Sequence, residues 1–256
     1  MPGLQADTRA ESAAVDPRKC GVDRDGCVHC GGSQFAEQVI IDDELAGTWE
    51  LTARERAWFD LREGHHCANC GMSLRVRMLL WTLQRITPKL AGLRILHVNQ
   101  INHLAAALHA AEVIETTYRL DAAPGTEIDG RSNQDLMNLT FPDASFDLVV
   151  HSETLEHVED PERALAEVRR VLRPGGRQIY TVPLLHERRS RRRASRAGDG
   201  TVTHLLPPSH HGLEAEFLVL WELGGDFLTG RQKSIEALFY DDFERNPTVF
   251  AVVEKA

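Results

Sequence analysis

No apolar run in this 256-residue sequence approaches the roughly 20 residues that a membrane-crossing helix needs. The polar N-terminus also lacks a signal-peptide core, so the sequence predicts no membrane association and a cytoplasmic location. Net positive charge is lacking too: 29 Lys and Arg stand against 38 Asp and Glu, a formal charge of −9. That balance disfavours general affinity for nucleic acid, although a local basic patch can override it. Cysteine is scarce. Four of the five cysteines fall in two C-x-x-C pairs, which in a cytoplasmic chain read as a metal site rather than as disulfides. What remains, with 42% hydrophobic residues, is enough core for one substantial α/β domain and a small appendage.

Residues 1–26 are rich in Ala, Asp, Arg and Pro without apolar periodicity, and are expected to be loose or wrapped on the surface. Cys20 reads there as a spare thiol, with zinc ligation as the alternative. Residues 27–73 read as a zinc-binding module. Cys27-Val28-His29-Cys30-Gly31 and Cys67-Ala68-Asn69-Cys70-Gly71 each form a knuckle whose glycine relieves the turn. Four thiolates, Cys27, Cys30, Cys67 and Cys70, leave no open position on a tetrahedral Zn2+, so the ion is expected to be structural. His29, His65 and His66 are read as solvated or outer-shell residues. Between the knuckles, Thr52 and Glu55 are spaced as a capping box before Ala57, Trp58 and Leu61. A further helix is predicted over Leu74 to Ile86, joining this module to the main domain, residues 74–256.

Phe141 to Pro183 parses as strand, loop, helix and strand. Phe146 to Val150 is a short apolar run suited to a strand buried on both faces. Asp160 is placed to cap a helix with Pro161 at its first position; Ala164, Leu165, Val168, Val171 and Leu172 recur on one face, and Pro174, Gly175 and Gly176 stop it. Ile179 to Val182 resumes as a strand. The βαβ unit implies a parallel sheet with ligands beyond the carboxyl ends of its strands, which puts His151, Ser152, Glu153 and Thr154 at the rim of a site.

The segments FPDASFDLVV, LEHV with DPERAL, and RVLRPGG resemble the second half of class I methyltransferases that use S-adenosyl-L-methionine (SAM). HLLPPSHHG and Leu223 to Leu228 resemble a zinc-knuckle subgroup of that family, and the likeness covers Cys27 to Ala256. It implies an α/β fold: a seven-stranded Rossmann-like sheet with strands near 93–98, 113–118, 128–134, 146–150, 179–182, 234–240 and 248–253. It also implies SAM as cofactor, a small-molecule substrate, and an insertion at 184–230 over the active-site side. Asp135 and Leu136 match the position that holds adenine, with a turn cap as the alternative role of Asp135. His151 and Ser152 fall at the cofactor rim. Glu115 or Asp121 is available for the ribose hydroxyls, although similar sequences carry the acid where this chain has Thr117. After the first strand the chain departs from the family: Asn99, Ile101 and His103 stand where glycines are usual, so Asn99 and Gln100 would have to serve the cofactor there.

Methyl transfer from a sulfonium needs an aligned nucleophile and a pocket that excludes water, with a base near neutrality when the acceptor carries a proton. Glu153, His210 and His211 are the candidate catalytic groups, with His204 beside them; His157 reads as structural. The arginines from Arg188 to Arg196 read as a solvated loop or as a grip for phosphate, carboxylate or RNA. Two functions follow: a SAM-dependent methyltransferase for a small metabolite or natural-product intermediate, or a methyltransferase-like protein that has lost ordinary methyl transfer and serves as a binding subunit or runs another reaction in the same pocket. An RNA methyltransferase is the third reading, disfavoured by charge. A homo-oligomer or a partner protein is left open.

Overall fold

The computed structural model describes residues 22, 25–99, 101, 104–108, 112–211, 217–229, 231, 235–243 and 246–256. Cys20, Gln100 and His103 lie outside them.

The main sheet is built from β1 (Arg94–His97), β2 (Glu112–Thr117), β3 (Glu127–Ile128), β4 (Arg131–Asn133), β5 (Phe146–Ser152), β6 (Leu172–Thr181), β7 (Ile235–Phe243) and β8 (Asn246–Lys255). Its spatial order is β7-β8-β6-β5-β1-β2-β4-β3. The strands β6, β5, β1, β2 and β4 run parallel, and β8 pairs antiparallel with both β6 and β7. The seven strands expected from sequence are therefore present, and the two-residue β3 extends one edge. It arises because the expected third strand folds back at Asp129-Gly130, both with positive φ (49° and 76°). Asp-Gly is a pair that suits such a two-residue hairpin turn.

The unit at the centre forms for local reasons. The Asp160 carboxylate accepts from the Glu162 and Arg163 backbone N–H groups (3.0 and 3.1 Å), and Pro161 opens the helix Pro161–Val171. The RPGG segment departs from expectation. The helix has already ended at Val171, and residues 173–176 bulge from β6 between the pairs Phe146–Leu172 and Leu148–Arg177. Gly175 sits at φ 83° there, and a Cβ on Gly176 would lie 2.9 Å from the Arg173 carbonyl oxygen.

Strand alternation sends Ile95, Leu148, Val150 and Ile179 to one face, under Met78, Leu79 and Leu83 of the helix Leu74–Ile86. Leu96, Val149 and Tyr180 go to the other, under Ala164, Leu165, Val168 and Val171, where Phe146 joins them across the irregular pairing between Phe146 and Leu148. All of these side chains are buried. Truncating any one of the leucines to alanine would cost about 2–5 kcal/mol.

A third apolar cluster joins the N-terminal module to the insertion, through Ile41, Trp49, Trp58 and Phe59 on one side and Leu185 and Val219 on the other. The capping box is formed as the spacing predicts, with Thr52 and Glu55 bonded reciprocally. The helix Ala53–Phe59 then loosens into a π-helical turn, Asp60–Gly64. Gly64 is required where that turn closes, since a Cβ would come within 1.9 Å of the Gln38 carbonyl oxygen.

Four members of the arginine run, Arg188, Arg191, Arg192 and Arg193, are neither solvated nor free to form an open basic patch. Arg188 binds Glu55 and donates to the carbonyls of Trp49 and Glu50 (2.9 and 2.7 Å), Arg191 binds Glu50 and Glu222, Arg192 binds Glu159, and the buried Arg193 binds Glu222. These four arginines each meet a carboxylate and together clamp the insertion to the N-terminal module and to the loop before the Pro161 helix, whereas Arg189 is exposed and Arg196 lines the cavities described below.

Candidate active site and metal centre

The four knuckle sulfurs converge. Cys27 Sγ lies 3.6 Å from Cys70 Sγ, Cys30 Sγ lies 3.6 Å from Cys67 Sγ, and all four fall within 4.8 Å of one another. Thiolates about 2.3 Å from a tetrahedral zinc ion stand about 3.8 Å apart, so the spacing fits. Local turns fix it: Gly31 N–H donates to the Cys27 carbonyl and Gly71 N–H to the Cys67 carbonyl (2.8 Å each), with both glycines at positive φ. Hydrogen bonds from the Asn69 side chain and the Gly32 backbone bring the Cys30 thiol down to about 6, whereas burial pushes Cys70 up to about 12. A divalent cation is the species that would let both serve as thiolates.

The sheet reverses its strand order between β1 and β5, and the principal cavities open at the carboxyl ends of these strands. One, of about 580 Å³, is lined by Asn99, Thr116, Thr117, Asp129, Ser152 and Glu153 among others. A second, of about 450 Å³, carries Gln134, Asp135, Leu136, Met137 and Asp160 and shares Asn99, Tyr118, His157 and Arg196 with the first. Four expected cofactor residues, Asn99, Asp135, Leu136 and Ser152, thus face one continuous space. Asn99 adopts φ 56°, the left-handed conformation that the missing glycine would supply, and its N–H donates to Thr116 Oγ1 at 3.2 Å. Asparagine tolerates that region better than most side chains. Asp135 also fills its alternative role: its Oδ1 accepts from the Met137 N–H at 2.8 Å.

Other expected residues sit elsewhere. His151 is buried within the sheet and stacked on Tyr180 at 4.8 Å, outside the cavity linings; burial brings its imidazole down to about 4. Its alternation on β5 turns it into the core, while Ser152 turns to the rim. Glu115 faces His97 at 3.1 Å and Arg131 at 4.0 Å, and Asp121 pairs with Arg119 at 3.4 Å; neither lines the cavities. The first cavity is lined instead by Thr117, where similar sequences carry the acid, and by Asp129, which the Asp-Gly turn could have signalled.

Glu153 stands at the junction with a third, more apolar cavity of about 500 Å³, walled by Ile41, Leu45, Trp49 and Phe59 and edged by His210 and His211. Its carboxylate accepts two hydrogen bonds from the buried Arg62 guanidinium, both 2.8 Å, and one from Thr181 Oγ1 at 2.9 Å. It is held at φ 49°. Arg75 reaches the same corner, donating to Ser152 Oγ and pairing with Glu63 at 2.7 Å. His211 stacks on Trp49 at 5.8 Å, whereas His204 is exposed on the hairpin formed by Ala194–Arg196 and Val202–His204. Arg62, Arg75, Trp49 and Tyr118 carried no signal in sequence, whereas Arg196 belongs to the arginine run. Their partners are 77 residues away for Arg75 and 91 for Arg62.

The strand order and the cavity at the switch point define a class I methyltransferase fold. Residues 99–180 match the family described as "Methyltransferase domain". The chain is 43% identical over 107 residues to 27-O-demethylrifamycin SV methyltransferase of Amycolatopsis mediterranei (strain S699), covering 41% of this chain and 32% of that protein. It is 38% identical over 72 residues to the ubiquinone/menaquinone biosynthesis C-methyltransferase UbiE of Enterobacter sp. (strain 638), covering 27% and 26%. The chain therefore spans less than a third of either curated relative. A SAM-dependent methyltransferase structure from Mesorhizobium loti superposes with a TM-score of 0.46 at 21% identity, covering 70% of this chain and 98% of that one. No helix among the described residues is long and apolar enough to cross a membrane.

Proposed function

We propose that the protein is a SAM-dependent methyltransferase acting on a small metabolite or natural-product intermediate. The observation that carries this reading is the continuous cavity at the switch point of a sheet whose residues 99–180 match the methyltransferase family. In it Asn99 supplies left-handed backbone in place of glycine, Asp135 and Leu136 flank the base, and Thr117 and Ser152 face the ribose and the amino-acid part. SAM when bound supplies the activated methyl group. The protein's own task is to align the acceptor and keep water out.

The apolar cavity beyond Glu153 is the natural seat of the acceptor: aromatic and aliphatic walls with a few polar groups at one edge suit a largely apolar small molecule. The likeness to an enzyme named for 27-O-demethylrifamycin SV supports a natural-product acceptor. Glu153, already engaged by Arg62 and Thr181, orients the junction, and His210 and His211 bring imidazoles to the acceptor's side. A zinc ion on the four cysteines would hold together the module that carries Arg62. Arg188, Arg191, Arg192 and Arg193 are already paired with carboxylates, which favours the small-molecule reading over RNA.

Titration calorimetry with SAM and with S-adenosylhomocysteine tests the reading. Binding of both is expected, and absence of heat for both at millimolar concentration overturns it.

A further inference from the structure

Between the two cavities lies a cluster that neither cofactor binding nor the cysteine site accounts for. Glu156 is the middle residue of the short 3₁₀ turn Leu155–His157, is fully buried, and has no hydrogen-bond partner for either carboxylate oxygen among the described residues. A buried carboxylate left bare on both oxygens is costly, and its position calls for a proton or a cation. Two imidazole nitrogens face the same oxygen: His157 Nε2 at 3.5 Å and His211 Nδ1 at 3.4 Å. The three ligand atoms fall within 4.8 Å of one another.

The tautomer of His157 is fixed by geometry. Its Nδ1 lies 2.9 Å from the Leu218 carbonyl oxygen, which can only accept, so Nδ1 carries the proton. In the neutral ring Nε2 then presents a lone pair to an anionic oxygen, an arrangement that repels unless something positive sits between them. A backbone carbonyl taking the distal N–H is the support that orients a metal-bound histidine. Ligands about 2.1 Å from a tetrahedral ion stand about 3.4 Å apart, matching both contacts.

We infer that Glu156, His157 and His211 form a second metal site, for a divalent transition-metal ion. Three protein ligands leave at least one coordination position open, as in catalytic rather than structural sites. The surroundings give that position a use: His157 lines the cofactor cavities and His211 the apolar one. The open position would take an oxygen donor of the acceptor, a hydroxyl or enol, and His211 then serves the acceptor through the ion. This last role rests on the proposed methyltransferase reading; binding of the ion does not.

Cobalt distinguishes the two sites, because thiolate ligation gives an intense near-ultraviolet charge-transfer band that nitrogen and oxygen ligands do not. The 256-residue chain, stripped with chelator, is titrated with Co2+. About two equivalents are expected, one with the thiolate band and one with weak visible bands only. His211→Ala and Glu156→Gln should each reduce uptake to the thiolate-bound equivalent, with the thiolate band and the circular dichroism spectrum unchanged. If Glu156→Gln alters the fold, the half-buried His211 decides. Uptake of a single, thiolate-bound equivalent by the wild-type chain overturns the inference, as does retention of both equivalents by the His211 variant. S-Adenosylhomocysteine binding measured on the same samples keeps failure of the methyltransferase reading separate from failure of the metal site.

Discussion

Arg62 and Glu153 meet through two parallel hydrogen bonds of 2.8 Å, joining the π-helical turn of the N-terminal module to the carboxyl end of the central strand. The module is thereby a wall of the site. Removing one partner of a largely buried bidentate pair leaves the other charge uncompensated, so Arg62→Ala should destabilise the protein by about 3 kcal/mol. Chemical denaturation measures this, and a loss under about 1 kcal/mol would show the pair to be solvent-screened.

The cysteine site should hold one zinc ion, as elemental analysis of the purified protein would show. Cys67→Ser, at a buried ligand, should lose that ion and unfold the N-terminal module, because the binding energy of a closed thiolate site is folding energy. Wild-type protein stripped of metal yet fully folded by circular dichroism contradicts this.

Asn99 at φ 56° predicts an asymmetric response. Asn99→Gly should keep S-adenosylhomocysteine binding within a few-fold. Asn99→Val, with a branched side chain forced left-handed at about 1–2 kcal/mol, should weaken binding about tenfold. Equal affinities for the two variants would mean that the backbone at this turn does not meet the cofactor.

His151 should make stability depend on pH. Its buried imidazole titrates at about 4, whereas in the unfolded chain it titrates near about 6.5. Above that unfolded value both states are neutral and stability is full. As pH falls from about 6.5 toward 4 the unfolded chain takes up a proton that the folded one refuses, and stability drops by about 1.4 kcal/mol per unit; below 4 this contribution is flat. His151→Phe, which keeps a ring against Tyr180, should remove that part of the slope. An identical slope in denaturation midpoints of both proteins would assign the dependence to other groups.

Much of the fold could be read from neighbours in sequence. Asp160 and Pro161 mark a helix start, the run from Phe146 to Val150 marks a strand covered on both faces, and Thr52 with Glu55 marks a cap. In each the energetics are settled within a few residues. The RPGG segment is ambiguous in sequence because a bulge and a turn use the same residues; only pairing with β5 distinguishes them. Position along their strands points to His151 and Glu115 as site residues, yet which way each side chain faces depends on register with the neighbours.

What the sequence determined by itself is the chemistry available: four paired cysteines, a methyltransferase-like βαβ unit, and a cofactor turn without glycine. Tertiary structure decided how those groups are used. It set Asn99 in the left-handed region, turned an arginine run into a clamp, brought Arg62 to Glu153 across 91 positions, and gathered Glu156, His157 and His211 around one point. The physical reason is that charge pairing and ligand convergence are properties of distance in space, which local periodicity and capping do not encode.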